Sequence, residues 1–325
     1  IDFADAVNGA VFFRADREDS TRTDLFRIPM KGGAMQRLTR QKGAHAPTFS
    51  SQGSLYLDRH SSISRPPKLQ LCDRAGRVIR QLGESASPAL ANVALGKVEL
   101  FKIPAADGRP LPAAWYLPPG FDAGKRYPVV MSVYGGPGVR SVTDAFPRRL
   151  DDFFLAQQGL IVLKVDHRGS GHFGKAGMEA MHRCLGKWEL ADYCSAVSHL
   201  RSLPFVDGER IGITGSSYGG YVAALALAAA PESFACGIAD FGVMDWLLYD
   251  SVYTERYMDL PAENPEGYRQ ASVLSHAATY RGGLRLTHGS MDDNVHMQNS
   301  LQLLDLLLDG GKTVELMIYP NERHG

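Results

Sequence analysis

Short apolar runs that alternate with polar or glycine-containing turns occupy the N-terminal part of the chain, and their pattern repeats. Several landmarks coincide without a gap after a shift of 44 residues (53 − 9): Gly9 on Gly53, Val11–Phe13 on Leu55–Leu57, Leu25 on Leu69, Gly32 on Gly76, and Leu38 on Leu82. About four short strands in a period of about 40–45 residues are typical of a β-propeller blade. Two unrelated hairpin pairs would need all these landmarks to coincide by chance. Because a propeller closes with about 4–8 blades, we expect the C-terminal part of a longer protein, with an incomplete propeller.

After Lys97 the pattern changes to short apolar strands that alternate with helices. The predicted strands are Val98–Ile103, Ala113–Leu117, Val129–Tyr134, Leu160–Val165, Arg210–Thr214, Cys236–Ala239, Leu284–His288 and Val314–Tyr319. The predicted helices are Arg148–Gln158, Trp188–Leu203, Gly220–Ala230 and Asn299–Leu308. This alternation favours a doubly wound α/β domain. With a boundary in Ala86–Ala94, we expect propeller blades in residues 1–92 and the α/β domain in residues 97–325.

Composition and charge narrow the function classes for these 325 residues. Thirty-five basic and 35 acidic side chains cancel, which argues against a broad surface for nucleic acid or anionic lipid. The longest apolar run, Tyr221–Ala230, is far shorter than the roughly 20 residues of a membrane span. The four cysteines have no CxxC spacing, so they form neither a disulfide scaffold nor a zinc ribbon. Without an HExxH motif or a GK[ST] phosphate loop, we expect no metal and no nucleotide cofactor.

A G-x-S-x-G motif spans residues 215–219, with Ser217 at its centre. It lies between the strand that ends at Thr214 and the helix that begins near Gly220. In such a nucleophile elbow the serine occupies a strained turn that exposes its hydroxyl, and the glycines let strand and helix pass closely. The alternative is a Gly/Ser turn that only connects two elements. The strand–turn–helix context favours the nucleophile.

A serine nucleophile needs a base and an acid, which in this fold follow it along the chain in the order Asp, then His. Asp292 follows the strand Leu284–His288, and His324 follows the strand Val314–Tyr319. Both lie beyond the carboxyl ends of strands, where open α/β sheets place their sites. The alternative for His324 is a solvated loop histidine. Of the other histidines, only His296 follows the acid loop, and it lies too close to Asp292 to be its partner.

Residues 169–174 match G-x-G-x-x-G after a predicted strand. A dinucleotide site requires that a helix begins at once and that a second strand ends in an acidic residue about 20 residues on. Here a polar stretch with methionines and a histidine follows, and Glu189 falls inside a predicted helix. We therefore expect a turn and not a nucleotide site.

A propeller that leads into an α/β-hydrolase domain resembles the prolyl oligopeptidase family, and shorter motifs resemble its dipeptidyl peptidase IV branch. The motifs are Ser-Tyr-Gly-Gly-Tyr at 217–221, Val-Tyr-Gly-Gly-Pro-Gly at 133–138, Asp-His-Arg-Gly-Ser-Gly at 166–171, His-Gly-Ser-Met-Asp-Asp-Asn-Val at 288–295, and the segment Trp246–Met258. The resemblance is close over residues 97–325 and loose over the blades. It implies an α/β-hydrolase doubly wound sheet preceded by β-propeller blades.

The resemblance also implies roles for individual residues. Ser217 would be the nucleophile, His324 the general base, and Asp292 the residue that orients the base. The oxyanion would be held by the backbone N–H of Tyr218 and by the hydroxyl of Tyr134. Such a donor contributes roughly 3–4 kcal/mol to barrier lowering in comparable enzymes.

A small, flat, apolar pocket for a proline or alanine side chain is implied in the same way, lined by Tyr218, Val243, Trp246, Tyr249, Tyr253 and Val295. Asn294 is a candidate donor to the substrate carbonyl. Trp246, Tyr249 and Tyr253 are spaced 3 and 4 residues apart, so on a helix they would share one face. That face would form either a pocket wall or a packed stripe, and the family resemblance favours the wall. Tyr257 is expected to pack in the core.

The implied activity is that of a serine exopeptidase that releases Xaa-Pro or Xaa-Ala dipeptides from peptide substrates through an acyl-enzyme, in a homodimeric full-length protein. An acylaminoacyl-type peptidase or oligopeptidase of the same family is the alternative. A small-ester hydrolase and a non-catalytic binding relative are further hypotheses. The blades argue against a small-ester hydrolase. The complete set of Ser217, Asp292 and His324 argues against a non-catalytic relative.

The sequence departs from the branch pattern at three places. Ser216 replaces a tryptophan, and Phe241-Gly242 replaces a small residue and proline, which affects fine specificity more than chemistry. The acidic pair that would hold the substrate's amino terminus belongs to an earlier blade. One residue follows His324 where the fold expects a closing helix. The compartment is not determined by these residues.

Overall fold

The computed structural model describes residues 1–325. The chain forms two compact units, Ile1–Glu99 with Thr143–Asp152, and Leu100–Val142 with Phe153–Gly325. Each unit contains its own cluster of buried apolar side chains. None of the helices combines the length and the apolar character that crossing a membrane requires.

The first unit contains two four-stranded antiparallel sheets whose strands follow one another in chain order. The first sheet consists of β1 (Phe3–Asp5), β2 (Ala10–Ala15), β3 (Asp24–Pro29) and β4 (Gln36–Arg37). The second consists of β5 (Ala44–Phe49), β6 (Leu55–Ser62), β7 (Arg65–Asp73) and β8 (Val78–Glu84). Each sequence period thus folds as one sheet, which confirms the predicted propeller blades.

The repeated glycines have the same conformation in both sheets. Gly9 and Gly53 have φ of 59° and 64°, and Gly32 and Gly76 both have φ of 85°. These left-handed values suit glycine because a Cβ atom would be strained there. The repeated glycines therefore mark turns at equivalent positions of the two sheets.

An aromatic ladder joins the two sheets of this unit. The ring centroids of Phe3 and Phe49 lie 5.2 Å apart, those of Phe12 and Phe49 5.0 Å, and those of Phe49 and Tyr56 5.1 Å. Phe12 and Tyr56 are almost wholly buried. Such ring pairs stabilise a core beyond the area that they bury.

The segment Thr143–Asp152 joins this unit through Asp144, a feature that the apolar pattern did not predict. Its carboxylate accepts the Ile63 N–H at 3.0 Å and the Arg22 side chain at 3.2 Å. Its own N–H donates to the carbonyl oxygen of Thr21 at 2.7 Å. The predicted boundary segment Ala86–Ala94 contains a short exposed helix, α1 (Pro88–Ala91).

The second unit is built on an eight-stranded sheet. Its strands are β9 (Val98–Pro104), β10 (Pro110–Tyr116), β11 (Tyr127–Ser132), β12 (Ile161–Val165), β13 (Val206–Ser216), β14 (Cys236–Asp240), β15 (Gly283–Gly289) and β16 (Glu315–Tyr319). The order is β16-β15-β14-β13-β11-β12-β10-β9. The pairs from β12 to β16 are parallel, and β10 pairs antiparallel with β12. All predicted strands are present, which confirms the α/β-hydrolase sheet.

Helices alternate with these strands: α2 (Asp151–Gln157), α3 (Gly174–Glu179), α4 (Lys187–Arg201), α5 (Tyr218–Ala229), α6 (Ser251–Met258), α7 (Pro265–Ala271) and α8 (Gln298–Asp309). Short 3-10 helices span Trp246–Leu248 and Val273–Thr279. The four predicted helices correspond to α2, α4, α5 and α8. The expected polar stretch without a helix is wrong, since α3 begins at Gly174, the last glycine of the G-x-G-x-x-G motif. The next element along the chain is α4, which contains Glu189.

Helix α5 lies in the centre of this unit. Every residue from Tyr218 to Ala228 is buried, which fits a helix that is apolar all round. It packs on β13 and β14. Its N-terminus therefore has a fixed position at the carboxyl end of the sheet, and Ser217 directly precedes it.

Candidate active site

Ser217 occupies the single position between β13 and α5. Its backbone has φ of 58° and ψ of −118°, a sparsely populated region that costs of order 1–3 kcal/mol for a side chain other than glycine. Two hydrogen bonds hold the turn: the Ser217 N–H donates to the Asp240 carbonyl at 2.9 Å, and the Tyr221 N–H donates to the Ser217 carbonyl at 3.0 Å. The predicted strained turn is present.

The two glycines of the motif allow a close backbone approach. A Cβ atom on Gly215 would lie 2.5 Å from the Val133 carbonyl oxygen, and one on Gly219 would lie 2.4 Å from the same atom. The Cβ position of Gly219 is also 3.2 Å from the Cα atom of Tyr134. The absent side chains therefore let the segment after β11 lie against the elbow, which brings Tyr134 beside it.

The structure brings Ser217, His324 and Asp292 together in one hydrogen-bonded line. Nε2 of His324 is 3.0 Å from Oγ of Ser217, and its Nδ1 is 2.8 Å from Oδ2 of Asp292. The two loops meet because β15 and β16 are parallel neighbours, with Gly289 paired to Tyr319. An imidazole placed in this way can accept the hydroxyl proton when the serine oxygen attacks an electrophile.

The Asp292 carboxylate is fully buried, whereas the His324 side chain is 21% exposed. The Oδ1 atom of Asp292 accepts hydrogen bonds from the backbone N–H groups of Asn294 and Val295, each at 2.9 Å. Its other oxygen faces His324. The carboxylate thus has a fixed orientation, which in turn fixes the imidazole.

Tyr134 and Tyr218, predicted for the oxyanion site, are neighbours whose ring centroids lie 6.1 Å apart. Tyr218 is the first residue of α5, and N–H groups of a first helical turn have no partner within their helix. Burial raises the pKa of Tyr134, so its hydroxyl keeps its proton and can donate. The two predicted donors therefore lie on adjoining segments at the elbow.

The three aromatic residues predicted to form the pocket wall lie close together, although not on one helix. Trp246 lies in a 3-10 helix, Tyr249 is extended, and Tyr253 lies in α6. The expectation of a shared helical face was wrong because Asp250 begins a new helix by capping the Tyr253 N–H at 2.8 Å. The three rings still form a cluster, with centroids between 5.5 and 6.1 Å apart. Tyr257 packs on Tyr253 at 5.0 Å.

The remaining predicted pocket residues differ in exposure. Val243 and Val295 are buried, whereas Asn294 is exposed. The Tyr249 hydroxyl donates to Oδ1 of Asn294 at 2.9 Å. This hydrogen bond occupies the side-chain oxygen of Asn294, so the NH₂ group is the part of the side chain that can donate to a carbonyl.

Two buried residues at the site were missed by sequence reasoning. Glu189 accepts the Tyr218 hydroxyl at 2.5 Å and the Gly186 N–H at 3.0 Å on one oxygen, while its other oxygen has no partner. Burial raises the pKa of Glu189 to about 7. His288, at the end of β15, lies 3.3 Å from the Asp292 carboxylate. His288 begins the 288–295 motif, but no role for it was predicted.

The fold and the Ser–His–Asp line define an α/β-hydrolase with the side chains of a serine hydrolase. Residues 149–325 match the prolyl oligopeptidase family, and residues 2–67 match the dipeptidyl peptidase IV N-terminal region. The chain belongs to the prolyl oligopeptidase family, in its dipeptidyl peptidase IV branch. This confirms the resemblance seen in the motifs.

Relatives with known names support the same branch. The chain is 40% identical to the prolyl endopeptidase FAP of Mus musculus over 243 residues, 73% of this chain and 31% of that protein. It is 33% identical to a probable dipeptidyl-aminopeptidase B of Talaromyces marneffei over 330 residues, 98% of this chain and 36% of that one. Porphyromonas gingivalis dipeptidyl peptidase 4 superimposes with a TM-score of 0.93 at 32% identity, covering 98% of this chain and 45% of that one. The chain therefore spans about a third of the length of these curated relatives.

Proposed function

We propose that the protein is a serine dipeptidyl peptidase that releases Xaa-Pro or Xaa-Ala dipeptides through an acyl-enzyme. The observation that carries this proposal is the line in which His324 lies 3.0 Å from the Ser217 hydroxyl and 2.8 Å from Asp292. Family membership and the names of the relatives support the peptidase class.

In the first half-reaction, Oγ of Ser217 attacks the scissile carbonyl carbon while Nε2 of His324 takes the hydroxyl proton. His324 then gives this proton to the leaving amine as the C–N bond breaks, and the dipeptide remains as an ester of Ser217. A water molecule repeats the sequence against the ester, and its proton passes through the same imidazole. Asp292 stabilises the imidazolium in both steps.

The oxyanion of each tetrahedral intermediate is held by the Tyr218 N–H and the Tyr134 hydroxyl. The buried environment strengthens both contacts, because hydrogen bonds to charge are worth more where water is excluded. A site near Trp246, Tyr249 and Tyr253 offers aromatic faces and no charge, which suits a proline ring or an alanine methyl group. Asn294 donates to the substrate carbonyl.

Residues 1–92 supply the propeller blades and residues 97–325 the catalytic domain in this proposal. The full-length protein acts as a homodimer on peptide substrates. Sedimentation velocity of the full chain tests the dimer, and a monomer at micromolar concentration contradicts it.

A fluorophosphonate probe and two anilides test the activity. We expect the probe to label the full chain, Ser217→Ala to abolish labelling, and the neighbouring Ser216→Ala to retain it. Labelling that survives in Ser217→Ala contradicts the assignment of the nucleophile. We expect Gly-Pro anilide to be hydrolysed faster than acetyl-Ala anilide. The opposite preference assigns the protein to the acylaminoacyl type.

A further inference from the structure

His288 lies fully buried at the end of β15 and makes contacts through both ring nitrogens. Its Nε2 is 2.7 Å from the Val295 carbonyl oxygen, and its Nδ1 is 2.8 Å from the Ser300 hydroxyl on α8. A carbonyl oxygen can only accept, so Nε2 carries the hydrogen. Nδ1 then accepts from Ser300. These two partners fix one tautomer of the ring.

The same Nε2–H group is 3.3 Å from Oδ2 of Asp292. Burial lowers the pKa of His288, while the Asp292 carboxylate opposes that shift and His324 adds to it. The His288 ring thus lies against the Asp292 carboxylate while its Nε2–H group donates to the Val295 carbonyl. Oδ2 consequently lies between two imidazoles: it is 2.8 Å from Nδ1 of His324, its hydrogen-bond partner, and 3.3 Å from Nε2 of His288.

The backbone of Val295 connects His288 with Asp292. The N–H of Val295 donates to Oδ1 of Asp292 at 2.9 Å, and the carbonyl of Val295 accepts from Nε2 of His288 at 2.7 Å. One oxygen of the carboxylate is thus held by the Val295 backbone, which His288 holds in turn. Val295 also belongs to the predicted pocket, so its backbone links Asp292 to the predicted pocket wall.

We propose that His288 is a positioning residue that orients Asp292 toward His324 and fixes the Val295 backbone, with Ser300 setting its tautomer. This inference rests on the proposed function, because it assigns a role relative to the Ser217–His324–Asp292 line. His288 has no exposed surface, so it exchanges no proton with solvent or substrate during turnover. Its contribution is to hold Asp292 in place.

Substitution of His288 separates positioning from general stability. In His288→Leu the Val295 carbonyl is left without its donor, so the backbone that holds Asp292 shifts, and we expect kcat to fall by about 10- to 100-fold. The acid limb of the kcat/KM profile moves to lower pH, because a misaligned Asp292 stabilises the imidazolium less. His288→Gln keeps an amide donor and restores part of the rate. Ser300→Ala changes rate and profile in the same direction by a smaller factor.

His296→Leu is the matched control, since this imidazole is exposed one residue beyond Val295. Active-site titration with the fluorophosphonate corrects every rate for the folded fraction. An unshifted acid limb together with a corrected rate within twofold of wild type in His288→Leu overturns the inference. Should that variant be insoluble, an unchanged rate and profile in both His288→Gln and Ser300→Ala overturn it equally. A wild-type protein that neither labels nor turns over contradicts the proposed function instead.

Discussion

Replacing Asp292 by asparagine tests the orientation of the imidazole while preserving shape. In the structure, Oδ1 of Asp292 accepts two backbone N–H groups at 2.9 Å, from Asn294 and Val295. The amide oxygen of the new side chain must remain there, because its NH₂ group would face two donors. The NH₂ group is then forced to the Oδ2 position, 2.8 Å from Nδ1 of His324.

This geometry inverts the tautomer of His324. Facing a donor, Nδ1 must accept, and the ring hydrogen moves to Nε2, where it points at the Ser217 hydroxyl. The imidazole then cannot take the serine proton. Inversion of this kind lowers kcat by about 10⁴-fold, which corresponds to about 5 kcal/mol in the activation free energy.

The assay is kcat for Gly-Pro anilide, measured together with the rate of fluorophosphonate labelling, which we expect to fall in parallel. Asp293→Asn is the matched control, because its side chain is 66% exposed and pairs with Arg323. We expect this control to remain within twofold of wild type. An Asp292→Asn protein that is folded and retains more than a tenth of the wild-type kcat refutes the reasoning.

Three further predictions concern the hydroxyl donor, the strained turn and a buried acid. Tyr134→Phe lowers kcat by about 10²- to 10³-fold with a small change in KM in steady-state assays, and equal losses in 1/KM contradict an oxyanion role. Ser217→Gly is more stable than Ser217→Ala by about 1 kcal/mol in urea titrations, because glycine relieves the φ of 58°; equal stability contradicts the strain. Burial raises the pKa of Glu189 from 4.5 to about 7. Between these two pH values the folded state binds a proton that the unfolded state has lost. The free energy of unfolding therefore falls by about 3 kcal/mol as pH rises through this interval. Glu189→Gln abolishes that fall between pH 5 and pH 8, whereas the exposed Glu179→Gln retains it.

Local sequence patterns predicted the strands and helices better than they predicted which segments belong to the same unit. The 44-residue offset (53 − 9) located both sheets of the first unit, since turn glycines and apolar alternation act over a few residues. The assignment of Thr143–Asp152 to that unit depends on Asp144 and its partners Ile63 and Arg22, which are 81 and 122 residues away. No periodicity in the sequence records such contacts.

The segment Trp246–Tyr253 likewise separates what residue spacing predicts from what tertiary packing decides. Spacings of 3 and 4 between Trp246, Tyr249 and Tyr253 suggested a common helix face, but Asp250 begins a new helix within the interval. The rings nevertheless cluster, because tertiary packing and not helical period brings them together. No role was predicted for Glu189 or His288, because their contacts with Tyr218 and Asp292 form only in the folded chain.

By itself the sequence determined the class of each segment, the serine at the strand–helix turn, and the chain order of the acid and the base. These properties follow from glycine placement and apolar period, which operate on neighbouring residues. Only the tertiary structure decided that His324 contacts Ser217 across 107 residues and Asp292 across 32. The parallel pairing of β15 with β16 sets that contact, because hydrogen-bond register between distant strands fixes which loop ends lie side by side.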